Sequence, residues 1–179
     1  MSKDKVFRLF TQQRNDYCLQ KIVIKRSLNI ALRKKSTNKL FFKMNNTQKV
    51  TICLKNGKFQ PCGSVKVENL NPKALLLCSA AECAGLTTMG LLAKNNITLK
   101  NFEITAEGIL NTPALKAESV FTSFKIIYNA ECKTLTDQNS VSTAIESAQE
   151  KHCGMITMLR KIAPVAHDIL VVSTETVNA

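Results

Sequence analysis

Apolar and polar residues alternate along several short stretches that begin just after residue 47. Residues 48–56 (QKVTICLKN) place apolar side chains at every second position, as in a strand with one buried face. The Asn56-Gly57 pair is a frequent hairpin turn sequence. Residues 63–68 (GSVKVE) alternate in the same way. These patterns predict two short strands at the start of a folded domain.

The longest apolar stretch follows Asn71-Pro72 and predicts a buried helix. Asn is a favoured N-cap residue and Pro is favoured at the first helical position, and the stretch ends at about Asn95-Asn96. Glu82 is its only acidic residue, and a helix that is apolar nearly all round lies in the centre of a fold. Its small residues would allow another element to approach closely; they are Ser79, Ala80, Ala81, Ala84, Gly85 and Gly90.

Alternation returns over residues 97–106 and 118–129 and predicts two further strands, which a turn-rich segment joins. The chain then changes to helical spacing, with polar residues at the start of the stretch from 137 to 151.

The last part of the chain predicts two helical stretches and a strand. His152-Cys153-Gly154 interrupts the helical pattern, which resumes over 155–162 and ends before Pro164. Residues 169–173 are apolar and predict a final strand. The predicted element order is β-β-α-β-β-α-α-β.

Positive charge is concentrated in the first quarter of the chain. The 179 residues carry a net charge of +12, but residues 1–43 hold 12 of the 25 Lys and Arg residues and only 2 of the 13 acidic residues. The remainder is nearly neutral, so its charge gives no reason to expect nucleic-acid binding. We predict a basic N-terminal extension over 1–43, either disordered or upstream of the natural start, and one domain over 44–179. A nucleic-acid tether is the alternative for the extension.

Cysteine usage and hydropathy indicate a reducing compartment. No apolar run approaches the roughly 18 residues of a spanning helix, and the first residues lack the features of a secretory signal. We therefore expect a cytoplasmic protein without a membrane partner. The seven cysteines include no CxxC pair and no metal-ligand spacing with histidine. We expect free thiols, no disulfide framework and no metal.

Two of these cysteines lie in distinctive positions. Cys83 is in the middle of the apolar helix, and Cys153 lies where the later helical stretch begins. A thiol on a buried helix either packs as a small apolar group or takes part in redox chemistry. A position at a helix N-terminus favours the thiolate. From the residues alone, both interpretations stay open for each cysteine.

Three pieces of the sequence resemble the OsmC/Ohr family of thiol-dependent peroxidases. They are the helix start Asn71-Pro72-x-Ala74-Leu75-Leu76, Cys83 eleven residues after that Pro, and Ala148-x-Glu150-Lys151-x-Cys153 followed by Met158-Leu159. The resemblance covers residues 48–174 and is closest to the YhfA-like branch of the family.

The resemblance implies a fold and a reaction. The fold is α+β, with antiparallel sheets wrapped around two central helices in an intertwined homodimer, and the active sites lie at the dimer interface. Cys83 would be the peroxidatic thiol, which reduces organic or hydrogen peroxides and becomes a sulfenic acid. Cys153 would resolve it as a disulfide, and an external dithiol would reduce that disulfide. No cofactor is implied.

The sequence departs from the family in its charged residues. The peroxidases use an Arg from the N-terminal sheet and a Glu directly after the Asn-Pro of the helix start. Residues 44–159 contain no Arg, and Lys73 stands at the Glu position. Lys73 and Glu82 are therefore the candidate substrate-binding residues, and Lys66 is an alternative source of positive charge. The departure favours a second function, that of a non-catalytic protein that binds a small molecule or senses redox state.

Overall fold

The computed structural model describes residues 46–175, and the prediction for the extension over 1–43 lies outside the described residues. One five-stranded sheet has the order β2-β1-β3-β4-β5, and the helices pack against its buried positions. The elements are β1 (Thr47–Lys55), β2 (Lys58–Pro61), α1 (Pro72–Ala93), β3 (Leu99–Leu110), β4 (Phe121–Cys132), α2 (Asp137–Ser147), a π-helical turn (Ala148–His152), α3 (Gly154–Ile162) and β5 (Val165–Ser173). This architecture confirms the predicted α+β class and element order.

The sheet is antiparallel except at one edge. β1 pairs with β2 and β3, and β3 pairs with β4, all in antiparallel register. β5 lies parallel to β4, a pairing that the antiparallel prediction missed. A parallel neighbour requires a crossover connection, because the chain must return to the same end of the sheet. Here α2, the π-helical turn and α3 form that crossover.

The start of α1 is built as its sequence predicts. The side-chain oxygen of Asn71 accepts hydrogen bonds from the backbone N–H groups of Lys73 and Ala74, each at 3.0 Å. The amide nitrogen of Asn71 donates to the side-chain oxygen of Gln48 on β1, also at 3.0 Å. The N-cap residue therefore both starts the helix and ties its first turn to the sheet.

α1 is the central helix of the described domain. It packs against β1, β3, α2 and α3, and its completely buried side chains include Leu77, Ala80, Ala81 and Ala84. By length and composition alone α1 could cross a membrane, although the sequence analysis found no run of that length. Its contacts with the sheet and the other helices account for this apolar composition, because a central helix must be apolar on several sides.

Close packing between α1 and the sheet depends on Gly85. The ring of Phe59 on β2 and the side chain of Ile104 on β3 fill the space where a Cβ atom would lie. Phe59 also contacts Phe102, with ring centroids 5.8 Å apart, and Phe102 stacks on Tyr128 at 6.4 Å. A row of aromatic rings therefore crosses the helix-covered face of the sheet from β2 to β4.

The predicted strand over 63–68 is wrong. The second strand is β2, which begins at Lys58 directly after the Asn56-Gly57 turn. Both turn residues have positive φ, 51° and 76°, as a two-residue hairpin loop requires. Such a tight loop starts the returning strand at once, and Gly63, with φ of 76°, then directs the chain away from the sheet.

The expectation of free thiols is also wrong for Cys53 and Cys62, which form a disulfide with Cα atoms 5.4 Å apart. Cys53 lies opposite Gln60 in the hairpin, so Cys62 is its diagonal neighbour two residues further on, within reach of a side-chain bond. This pairing was not predicted, because the sequence indicated a reducing compartment and therefore free thiols.

We expect Gly85→Ala to lower the free energy of unfolding by about 1–3 kcal/mol, because the added methyl group overpacks the interface. Its Cβ would lie 2.5 Å from Phe59 Cζ and 2.9 Å from Ile104 Cδ1. Urea denaturation measures the change. The matched control is Gly90→Ala on the same helix, where no atom lies within 4 Å, and there we expect a gain of up to about 1 kcal/mol. Equal losses in both variants would contradict the packing argument.

Candidate functional site

The two cysteines singled out from the sequence lie side by side in the structure. Cys83 is on α1 and Cys153 immediately precedes α3, 70 residues later, yet their sulfur atoms are 3.3 Å apart. The geometry makes the Cys153 thiol a donor to the Cys83 sulfur. A disulfide bond is about 2.05 Å long, so the sulfurs need to approach by only about 1.3 Å to form one.

Backbone hydrogen bonds fix the position of Cys153. Its N–H donates to the carbonyl of Ala148 at 2.9 Å, which closes the π-helical turn. Its carbonyl accepts hydrogen bonds from the N–H and the hydroxyl of Thr157, both at 3.1 Å. Cys153 has an extended backbone at the N-cap of α3, with φ of −85° and ψ of 108°. The interruption that the sequence predicts at His152-Cys153-Gly154 is therefore the junction that turns this thiol into the core.

The two thiols differ in exposure, and burial of one of them raises its pKa. Cys153 is 1% exposed, whereas Cys83 is partly exposed. Burial raises the pKa of Cys153 to about 11, and the hydrogen bond to Cys83 adds to the rise, although the N–H groups of Ile156 and Met155 at the start of α3 oppose it. At neutral pH Cys153 therefore keeps its proton and can donate it in a hydrogen bond. Cys83 is the acceptor, and it is the less buried residue of the two.

A buried polar pair lies beside the thiols. The Tyr128 hydroxyl donates to the side-chain oxygen of Gln149 at 2.6 Å, and both residues are buried. Burial raises the pKa of Tyr128 well above its ordinary value. Negative charge on Cys153 or Cys83 would raise this pKa further, whereas the positive charge of Arg160 lowers it. The hydroxyl is thus within electrostatic reach of both thiols and of a guanidinium group.

The amide nitrogen of Gln149 is the one buried side-chain nitrogen or oxygen within residues 46–175 that has no hydrogen-bond partner. The sequence analysis missed both Tyr128 and Gln149, because alternation marks Tyr128 only as a core position of a strand. The sequence feature that could have pointed to Gln149 is its spacing, since it lies four residues, or about one helical turn, before Cys153.

Arg160 is the one arginine in the described part of the chain, and a carboxylate holds it. Its guanidinium group lies 2.7 Å from the carboxylate of Glu150 in the π-helical turn. His167 on β5 lies 3.8 Å from the same carboxylate. This cluster ties the turn that precedes Cys153 to α3 and to the edge strand, and so supports the position of the thiol.

The structure does not bring the predicted substrate-binding residues to the thiols. The Lys73 ammonium group donates to the carbonyls of Lys116 and Ala117, at 3.0 and 3.3 Å. Glu82 is exposed on α1. In the part of the chain that the structure describes, no hydrogen bond or ion pair joins either residue to Cys83 or Cys153. Their role in binding substrate stays a prediction.

The alternative cation is also engaged elsewhere: the ammonium group of Lys66 lies 3.5 Å from the carboxylate of Glu68. Both side chains are largely exposed, so this ion pair contributes little to stability. Among the described residues, the N–H groups at the start of α3 are a source of positive potential, and they act on Cys153.

One further group of donor atoms could hold a metal ion. The sulfurs of Cys53 and Cys62 and a carboxylate oxygen of Glu103 lie within 4.8 Å of one another. The two sulfurs are joined in a disulfide, and metal ions are bound by thiolates. In this oxidised state the group therefore has a single ligand, the carboxylate.

Comparison with known proteins assigns the domain to a family. Residues 65–168, more than half of the chain, match the family model described as OsmC-like protein. This range contains Cys83 and Cys153, together with the Tyr128–Gln149 pair. A search of curated proteins found no match.

The chain is similar to several solved structures at low sequence identity, and the first of them shares its fold. A hypothetical protein from Aquifex aeolicus VF5 is 20% identical with a TM-score of 0.51, and the alignment covers 72% of this chain and 98% of that one. An OsmC-like protein from Mycoplasma pneumoniae is 12% identical with a TM-score of 0.48, covering 70% and 95%. An organic hydroperoxide resistance protein OsmC from Legionella pneumophila is 21% identical with a TM-score of 0.41, covering 64% and 74%.

In the reduced protein at pH 7.5, we expect iodoacetamide to modify Cys83 roughly tenfold or more faster than Cys153, because only the thiolate reacts. Peptide mass spectrometry measures both rates. Modification of Cys153 should rise between pH 9 and pH 11, since its pKa is raised to about 11. Buried Cys132 in the same digest is the control for unfolding. Faster modification of Cys153 than of Cys83 at pH 7.5 would contradict the assignment of donor and acceptor.

Proposed function

Because the chain belongs to the OsmC-like protein family, we propose that it is a thiol-dependent peroxidase in which Cys83 attacks organic or hydrogen peroxides and Cys153 resolves the product. The observation that supports this proposal is the 3.3 Å contact between the two sulfurs, with a protonated donor on one side and an accessible acceptor on the other. A hydrogen bond to a thiolate stabilises the charged form. The thiolate is the nucleophilic state of a cysteine, and the Cys153 thiol is placed to donate a hydrogen bond to the Cys83 sulfur.

The first step forms a bond between sulfur and oxygen. The Cys83 thiolate attacks the OH-bearing oxygen of the peroxide, and the O–O bond breaks. The other oxygen leaves as an alkoxide or hydroxide and takes a proton from water, which replaces the one that Cys83 released on ionising, to give an alcohol or water. Cys83 becomes a sulfenic acid, which is a two-electron oxidation of the sulfur.

The second step forms the disulfide. The sulfur of Cys153 attacks the sulfur of the Cys83 sulfenic acid, the S–O bond breaks, and the oxygen leaves as water with the proton that Cys153 gives up. Formation of this disulfide needs the two sulfur atoms to approach by about 1.3 Å. Rotation of the side chains can supply that movement. An external dithiol then supplies two electrons and two protons and restores both thiols by thiol–disulfide exchange.

We also propose a homodimer that forms through the outer face of α1. Leu75 and Leu86 are large apolar residues of the core helix, yet they are 36% and 54% exposed. They lie eleven residues apart, with Ser79 and Glu82 exposed between them at helical spacing. Cys83 is adjacent to this stripe, so a second copy would cover the access to the thiol. Lys73 and Glu82, on the same helix, would then meet a substrate held between the subunits.

A redox sensor or a small-molecule binder is the second candidate function. It is favoured by the lack, among residues 46–175, of any Lys or Arg side chain hydrogen-bonded or ion-paired to a thiol. Such a protein would use the same dithiol–disulfide change, but its thiol would react with peroxide no faster than an ordinary one. The two functions therefore differ in rate and not in the final product.

Stopped-flow reaction of the reduced protein with cumene hydroperoxide and with hydrogen peroxide tests the proposal. We expect Cys83 to react on the order of 10³-fold or more faster than free cysteine, since enzymes usually accelerate reactions by larger factors than that. Cys83→Ser should abolish the reaction. Cys153→Ser should stop after one oxidation without forming a disulfide.

Cys78→Ser is the matched control for that experiment, because Cys78 is another buried thiol of α1, and we expect it to react like the wild type. A wild-type rate equal to that of free cysteine would reject the peroxidase and favour the sensor.

For the dimer, we expect Leu86→Lys to convert the protein to a monomer in light scattering after size exclusion, because a charge in place of this large apolar side chain opposes its burial. Leu135→Lys, in the loop before α2, is the control, since Leu135 is 47% exposed and lies outside the stripe. A wild-type protein that is monomeric at tens of micromolar would contradict the proposed dimer.

A further inference from the structure

We propose that the Gln149 carboxamide, held by Tyr128, binds the oxygen that Cys83 acquires during the reaction and donates a hydrogen bond to it as the S–O bond breaks. This inference rests on the proposed function for the origin of that oxygen. It assigns a role to two residues that the sequence did not mark.

The starting observation is an unsatisfied donor. The amide nitrogen of Gln149 has no hydrogen-bond partner, although the residue is only 1% exposed. Folded proteins rarely bury a polar atom without a partner, and those that do often use it in function. A donor held ready inside the fold is what a ligand oxygen requires.

The position of the carboxamide is fixed from its other end. The Tyr128 hydroxyl holds the side-chain oxygen of Gln149 at 2.6 Å, so the amide nitrogen must point away from the tyrosine. Tyr128 is held in turn by stacking on Phe102. The donor is therefore held in place before any oxygen arrives, and donors that are preorganised in this way stabilise developing charge effectively.

The turn that carries Gln149 packs against the helix that carries Cys83, but neither thiol satisfies the donor. Gln149 lies in the π-helical turn, four residues before Cys153. This π-helical turn packs against α1, which carries Cys83. The hydroxyl bound to Gln149 is within electrostatic reach of both sulfurs. Neither sulfur accepts a hydrogen bond from the amide nitrogen in the reduced protein. An oxygen atom bound to sulfur extends one bond length further and would supply the missing acceptor.

In the resolving step, the carboxamide can stabilise the oxygen that leaves Cys83. When Cys153 attacks, the S–O bond of the sulfenic acid breaks and negative charge develops on the leaving oxygen. A hydrogen bond from the carboxamide stabilises that charge, while the proton that completes the water comes from Cys153. The carboxamide transfers no proton and is unchanged at the end. Among the described residues, the Arg160 guanidinium is engaged by Glu150, whereas the Gln149 amide nitrogen has no partner.

The experiment compares the fate of Cys83 in the wild type and in Gln149→Leu. Each reduced protein is treated with excess hydrogen peroxide in the presence of dimedone, which traps sulfenic acid. Mass spectrometry then gives the ratio of trapped Cys83 to Cys83–Cys153 disulfide. We expect the ratio to rise roughly tenfold or more in Gln149→Leu, because loss of one such donor typically slows a step by that factor or more. The rate at which Cys83 is first oxidised should change less than about threefold.

Two further variants guard against a change in folding. Gln138→Leu removes a glutamine from the first turn of α2. No described side-chain hydrogen bond joins Gln138 to either thiol, so this variant should keep the wild-type ratio. Tyr128→Phe keeps the aromatic ring but releases the carboxamide, and it should raise the ratio in the same direction by a smaller factor. If Gln149→Leu does not fold, Tyr128→Phe decides, and an unchanged ratio in that variant overturns the inference.

The outcomes separate this inference from the proposed function. Fast oxidation of the wild type with an unchanged ratio in Gln149→Leu would mean that a water molecule alone satisfies the carboxamide, and the inference fails while the peroxidase stands. Slow oxidation of the wild type with a raised ratio in Gln149→Leu would reject the peroxidase and keep the oxygen-binding role.

Discussion

Close packing of α1 against the sheet is the constraint on which the rest of the structure depends. Small residues at Ala80, Ala81, Ala84 and Gly85 let the helix lie directly on the side chains of the strands. The Asn71 cap fixes where the helix begins relative to β1. Because an α-helix has a regular rise and rotation, these two restraints also fix where Cys83 lies, about three turns along.

Burial then makes two identical side chains chemically different. The same helix packing that hides Cys153 leaves Cys83 partly open, so one thiol holds its proton and the other can accept a hydrogen bond from it. The protein obtains this asymmetry without a lysine or arginine contacting either sulfur within the described residues. Desolvation and the peptide dipoles of α3 act against each other at Cys153, and desolvation is the larger of the two.

Much of the fold could be predicted from the sequence because its signals are local. The Asn-Pro start of α1, the alternation in β1, β3 and β4, and the interruption at Cys153 each depend on a few neighbouring residues. The second strand was misplaced because alternation alone cannot tell a strand from an extended loop; the tight turn at Asn56-Gly57 was the better guide. The Cys53–Cys62 disulfide was missed for a different reason, because free thiols were expected from an inferred reducing compartment.

The site could be predicted only in part. The resemblance picked out Cys83 and Cys153, but no local pattern could show that residues 70 positions apart lie in contact. Lys73 was assigned to the substrate because of its sequence position, whereas its ammonium group binds carbonyls in the β3–β4 loop, whose conformation has no periodic signal. Tyr128 and Gln149 looked like ordinary core and helix positions until the fold placed them together.

The parallel pairing of β4 and β5 has a consequence for the newly made chain. Cys153 lies inside the crossover that joins these two strands, so its final position requires the last strand to dock on the sheet edge. During synthesis, Cys83 leaves the ribosome long before that strand does. The contact between the two thiols is thus non-local, and it forms only at the end of folding. An unfinished chain contains Cys83 without Cys153 beside it. The two thiols come into contact only when the native domain has formed.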